Sequence, residues 1–288
     1  MKFFTAAMLL TGVVRAADAP WPEVRKTFGQ EGKSLPGDVQ KYSWPRSDLR
    51  VRVGTVAVQP ALALGSWAAF HAEAEGSGAM TMGDLVLLES EANSVIRELQ
   101  AGGFEILAVH NHLLGETPHV LYVHFMGKGE PAALAKTLKA ALAKTKTPAA
   151  TGSPAQPTAT ETKLLDEVQT SLGRKGTMAG AVLQIGVPRA DAITDGGMEI
   201  PPSMGMAESI NAQVAGDGVA TTGDFVLVAD EVNPVIHELQ AHDIEVTALH
   251  SHMLRETPRL FFMHFWGVGT PAAIGKGLKA ALARVATK

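Results

Sequence analysis

The feature that most constrains this chain is an internal repeat. Residues 80–142 align without a gap to residues 220–282, an offset of 140 positions, and roughly half of the aligned residues are identical. The match continues upstream with small shifts, residues 24–48 against residues 168–191. A unit of about 125 residues is an ordinary domain size, so one fold is expected twice. The copies are read as residues 21–144 and 161–288. Residues 145–160, rich in Pro, Ala and Thr, read as a linker between them.

Periodicity supplies the elements of one copy. Residues 24–28 begin a short helix that Gly29 ends, and residues 49–58 alternate and read as β-rich. Residues 67–75 and 80–88 are expected to be strands joined through Gly76-Ser77-Gly78. Residues 91–101 form a helix with Val95, Ile96 and Leu99 as its apolar stripe and Gly102-Gly103 as its stop. Residues 104–112 and 119–126 read as strands about a turn through Gly115 and Pro118. Pro131 opens the last helix, with Leu134 and Leu138 inward. Strands outnumber helices, so the expected class is α+β. Each copy should have an antiparallel or mixed sheet with helices packed on one face.

Charged residues are 19% of the chain and the net charge is −4, with no long basic run. This argues against nucleic acid or anionic membrane as the main partner. The absence of cysteine excludes disulfides, thiolate metal sites and a cysteine nucleophile. Residues 1–20, with Lys2, an apolar run and the small residues Ala16 and Ala17, read as a signal peptide, and so predict a periplasmic or secreted protein. The apolar run is too short to span a bilayer, and no later segment reads as transmembrane.

The repeat also sorts the 10 histidines. His110, His112 and His124 recur as His250, His252 and His264, and the other four do not recur. Residues i and i+2 of a strand share a face about 7 Å apart, so each His-x-His pair converges. The pair is expected on the apolar, core-directed face with Phe104, Ile106 and Ala108, or with Ile244, Val246 and Ala248. Pairing His110 opposite His124 unites all three imidazoles, whereas a one-residue slip sends His124 to the other face. Three imidazoles with an open position suit zinc first and copper second, one site per copy. Glu116 and Glu256, in the shared Glu-Thr-Pro turn, are candidates for a fourth ligand or a general base. Plain turn chemistry and satisfied core-rim histidines are the competing reading.

Other repeated features have blander readings. Gly83-Asp84 and Gly223-Asp224 read as turn or cap chemistry. Arg46 with Asp48, and Arg189 with Asp191, read as structural pairs, with anion binding as the sharper alternative. The scattered methionines read as core filling rather than as copper ligands.

The strings Pro-Arg-Ser-Asp-Leu, Met-Gly-Asp-Leu-Val-Leu, Glu-x-Asn-x-Val-Ile and His-Asn-His-Leu-Leu-Gly-Glu-Thr-Pro resemble the LppY/LpqO-like family. Its members are bacterial secreted proteins and lipoproteins with a duplicated domain of unassigned function. The resemblance covers nearly the whole mature chain and implies export and the tandem architecture. It carries no catalytic assignment, and the lipobox cysteine of the lipoprotein members is missing here. The residues and the resemblance together lead to the expectation of an exported metal-binding protein. A metal-dependent hydrolase or lyase is the first alternative. The second is a non-metal module that binds a small molecule or peptide between the repeats.

Overall fold

Each repeat builds one six-stranded, wholly antiparallel sheet, two of whose interior strands are buried along most of their length. The spatial order in the first repeat is Lys33–Leu35, Val39–Pro45, Gly65–Ala72, Ala79–Leu88, Val120–Gly129 and Glu105–His110. The second repeats it with Thr177–Ala179, Val182–Pro188, Ala207–Ala215, Gly218–Leu227, Phe261–Gly269 and Glu245–His250. This computed structural model describes residues 21–73, 78–149 and 155–288. The expected signal peptide, part of the Gly76-Ser77-Gly78 hairpin turn and part of the linker lie outside the described residues. The strands flanking that turn pair as the sequence predicts, with Trp67 opposite Asp84.

Three helices cover one face of each sheet. In the first repeat they are Trp21–Phe28, Glu89–Ala101 and Pro131–Leu142; in the second, Ala159–Leu172, Ala229–Ala241 and Pro271–Leu282. Pro131 stands at the start of its helix, and Glu130 accepts the backbone N–H groups of Ala132 and Ala133 at 2.8 and 2.7 Å. Val24, Phe70, Leu85, Leu99, Phe125 and Leu138 fill the first helix-covered core. Val168, Ile210, Phe225, Leu239, Phe265 and Leu278 fill the second. Among the described residues no helix is long and apolar enough to cross a membrane.

The opposite face of each sheet meets the other repeat. Residues 49–58, expected as one β-rich stretch, instead form a tight hairpin of Arg52–Val53 and Val56–Ala57 that pairs with Glu116–Thr117. This hairpin belongs to an arm that leaves its own sheet. Val51, Val58, Leu62 and Leu64 of the arm share a buried cluster with Val182, Ala220 and Trp266 of the second repeat. The corresponding arm of the second repeat returns the contact: Ile193, Ile200, Met204 and Met206 pack on Val39, Ala69, Met80 and Met82. Polar side chains fix the exchange. Asn211 donates to the Leu62 carbonyl at 3.0 Å and Gln213 to the Ala57 carbonyl at 2.7 Å.

A buried arginine anchors each arm to its own repeat. Arg46 is fully buried; it donates to Asp48 at 3.0 Å, to Glu91 at 2.7 Å and to the Val86 carbonyl at 2.8 Å. Arg189 pairs in the same way with Asp191 and Glu231, each at 2.6 Å. Every guanidinium nitrogen of Arg46 and both terminal nitrogens of Arg189 have internal partners, which favours the structural pair over anion binding. Most of the methionines singled out in the sequence line the core between the repeats, as ordinary filling.

Candidate metal centre

A bulge decides which way the histidines point. Ile106 pairs with Phe125, but the next pairing is Ala108 with His124, so Leu107 is the extra residue. One added residue inverts the alternation of side chains. Phe104 and Ile106 therefore pack under the helices, while Ala108, His110 and His112 turn to the opposite face. The second repeat has the same bulge at Thr247, between Val246 and Ala248. The expectation that each His-x-His pair shares a face with Phe104 and Ile106, or with Ile244 and Val246, is corrected by this irregularity.

The register differs from the expected one without harm. His110 lies opposite Tyr122, and His124 lies opposite Ala108. The displacement is two residues, an even number, so His124 keeps the same face as His110 and His112.

That face looks at the other repeat, and the six histidines meet there. Ring centroids are 3.7 Å apart for His110 and His250, 3.8 Å for His112 and His264, and 3.7 Å for His124 and His252. Exchanging the repeats leaves the first pair unchanged and converts each of the other two into its counterpart. The cluster thus has a pseudo-two-fold axis between His110 and His250. The three histidines of each copy do come together as expected, and the two sets adjoin because the sheets face each other through their histidine-bearing surfaces, His110 lying close to the second-copy set as well. Tyr122 stacks on His112 at 3.4 Å, and its counterpart Phe262 stacks on His252 at 3.8 Å, closing the cluster on both flanks.

The electrostatics favour neutral imidazole. Burial, followed by the facing His250, pushes the pKa of His110 down to about 3, and burial pushes that of His250 down to about 4. His112, His124, His252 and His264 are held well below the ordinary value by burial and then by neighbouring histidines. The Nδ1–H of His110 donates to the Asn111 carbonyl and that of His264 to the Gly223 carbonyl, each at 3.0 Å. This leaves Nε2 of both rings with its lone pair free, the arrangement by which a carbonyl orients a metal-ligating histidine. Among the described residues, the Nε2 atoms of all six rings are buried without a hydrogen-bond partner. Two groups have ligand atoms within 4.8 Å of one another: His110, His112 and His124, and His110 with His250, His252 and His264. These groups can hold a metal ion.

Two aspartates join the centre that the sequence reading left out. Asp84 and Asp224 are not turn residues; they sit inside strands, directly opposite His124 and His264. Asp84 Oδ2 lies 3.8 Å from His124 Nε2 and 3.9 Å from His112 Nε2. Asp224 lies 3.7 Å from His264 and 4.0 Å from His252. Burial raises the Asp84 pKa to about 8 against the pull of Lys41, and raises that of Asp224 well above its usual value. The available signal was the recurrence of Gly-Asp at the repeat offset. A side chain on Gly83 would strike the Trp67 carbonyl and the Phe125 ring, so the glycine is required by strand packing.

Glu116 and Glu256 are buried at the Glu-Thr-Pro turns. Glu256 accepts the Leu260 N–H at 3.0 Å, and Glu116 faces the Val120 N–H at 3.5 Å. Neither belongs to the two groups of mutually close ligand atoms. A cavity of about 400 Å³ opens beside the cluster, between the repeats. The carboxylates lining it are Asp84, Glu208 and Asp224, together with His112, His124, His252 and His264.

A family model described as Domain of Unknown Function (DUF1259) matches residues 22–144 and again residues 166–284. No curated protein matches the chain. Among solved structures, the chain is similar to the trimeric bacterial microcompartment shell protein PduB, at 11% identity over 88% of this chain and 90% of that one, with a TM-score of 0.21. It is likewise similar to EtuB from Clostridium kluyveri, at 10% identity over 88% and 89% of the two chains, with a TM-score of 0.20.

Proposed function

We propose that this chain, which belongs to the family described as Domain of Unknown Function (DUF1259), is an exported metal-binding protein whose two repeats jointly hold transition-metal cations, zinc first and copper second. The observation that carries this reading is the set of six buried Nε2 atoms without a hydrogen-bond partner among the described residues. An unpaired buried polar atom costs about 1–3 kcal/mol, and six converging on one another are costly unless something binds them. Neutral imidazole is the protonation state that a cation requires, and zinc, copper and nickel accept it. Export is supported by the pattern of residues 1–20 and by the resemblance to the LppY/LpqO-like family.

A second reading, a metal-dependent hydrolase or lyase, is favoured by the cavity beside the cluster. A bound zinc would supply a Lewis acid there. Asp84 and Asp224 line the cavity and suit the role of base. Glu116 and Glu256, proposed from sequence for that role, have carboxylates directed to the backbone of their own turns.

The test is metal content by mass spectrometry of protein purified without an affinity tag, beside the His112→Ala/His252→Ala double variant. Near-stoichiometric zinc or copper that the double variant loses supports the centre. No metal in either protein, and no uptake of added zinc or copper, overturns it.

A further inference from the structure

The cavity has one corner that the repeats do not share. Lys41 extends from the strand Val39–Pro45 into the cavity, with its ammonium 4.0 Å from the centre of the Trp67 ring. Among the described residues no hydrogen bond or ion pair engages that ammonium; the Trp67 ring is its contact. Burial lowers its pKa to about 8, against the stabilising pull of Asp84.

The second repeat replaces both members of this pair. The strands Val39–Pro45 and Val182–Pro188 correspond, and their pairings place Gln184 where Lys41 stands. Ser209, opposite Asp224, stands where Trp67, opposite Asp84, stands. Gln184 is committed to packing, donating to the Ala61 carbonyl at 2.9 Å. Three histidines and one aspartate are thus duplicated, while the lysine and its aromatic platform occur once. A cation half-withdrawn from water with no carboxylate in contact with it is costly in free energy, and an anion entering the cavity to touch it offsets that cost.

We propose that this corner is the binding site of a small organic carboxylate, its anionic end on the Lys41 ammonium above Trp67 and its body directed toward the histidines. A volume of about 400 Å³ suits a small molecule. One lysine meets one negative charge. Asp84, Glu208 and Asp224 share the walls and no second cation does, so a multiply charged phosphate would leave its further charge unpaired, whereas ligand hydroxyls would find hydrogen-bond partners. The inference goes beyond the metal reading and stands without it, since neither Lys41 nor Trp67 is an imidazole ligand.

The test is calorimetric titration of the full chain with lactate, a small hydroxycarboxylate, and separately with inorganic phosphate. Each titration is run as purified and after chelator treatment, with zinc and copper content measured in parallel. The expected result is saturable lactate binding that Lys41→Gln, the residue of the second repeat, weakens about tenfold or more. Lys41→Arg should stay within a few-fold of the wild type, with zinc content alike in all three proteins. Absence of saturable lactate binding, equal binding by Lys41→Gln, or phosphate binding as tight as lactate overturns the proposal. Lysine-dependent lactate binding in a protein that takes up neither zinc nor copper would sink the metal reading and leave this one standing.

Discussion

His110 and His250 occupy the same position in the two repeats, and their rings face each other with centroids 3.7 Å apart. His110 therefore belongs to both groups of close ligand atoms, whereas His124 belongs to one. His110→Ala should lower bound zinc at both groups. His124→Ala should spare the group formed by His110, His250, His252 and His264. Zinc counted by mass spectrometry after equilibrium dialysis separates these outcomes. Equal retention by the two variants would show that His110 has no shared role.

The pH dependence of the metal-free protein follows from two opposed sets of groups. Six imidazoles have folded pKa values below their free value of 6.5. Below that pH the unfolded chain binds protons that the folded chain refuses, so stability falls with pH, down to about 4 for His250 and about 3 for His110. Asp84 and Glu208 behave oppositely: their folded values are raised to about 8 from 3.8 and 4.5. Their contribution is complete below the free values and is lost as pH rises through 8. Asp224 shifts in the same direction. Below 6.5 the six imidazoles outweigh the three carboxyls, and above it the carboxyls act alone. The melting temperature of chelator-treated protein should peak near pH 6.5, close to the free imidazole value. A melting temperature that climbs steadily to pH ~8 would contradict this balance.

Much of this fold is legible in the sequence because the repeat doubles every signal. The Pro131 helix start and the strands flanking residues 76–78 recur at the repeat offset, and both form as expected. The facing of the histidines is not legible, since a bulge at Leu107 costs no change in composition yet inverts every later side chain. Nor is the exchange of arms, because Val58 and Leu62 read as apolar whichever sheet they cover. Asp84 escaped notice because a Gly-Asp pair has a strong turn preference, which strand pairing overrides here.

The Arg46–Glu91 pair gives a stability prediction independent of the metal. Arg46 is fully buried, and its removal leaves the Glu91 carboxylate buried beside an unfilled space. Arg46→Ala should destabilise the protein by about 3–5 kcal/mol, the cost of breaking a buried pair from one side. Urea denaturation measures it, and Arg189→Ala should behave alike through Glu231. A loss below ~1 kcal/mol in both variants would mean that the arms are held by their apolar contacts alone.

Asp84 tests how the centre is tuned. It lies 3.8 Å from His124 and 3.9 Å from His112, beyond hydrogen-bond reach but close enough for its charge to act on a cation bound by those rings. Carboxylates in such outer positions change metal affinity by about 10–100-fold when removed. Asp84→Asn preserves shape and removes the charge. It should weaken zinc binding by about that factor in competition with a chelator, and Asp224→Asn should do the same through His252 and His264. In the metal-free protein the same substitution removes an ionisation that burial opposes, so Asp84→Asn should raise stability above pH ~8 while lowering zinc affinity. Opposite signs in the two measurements are the signature of a carboxylate retained for a bound cation. Losses in both would mark Asp84 as a structural residue.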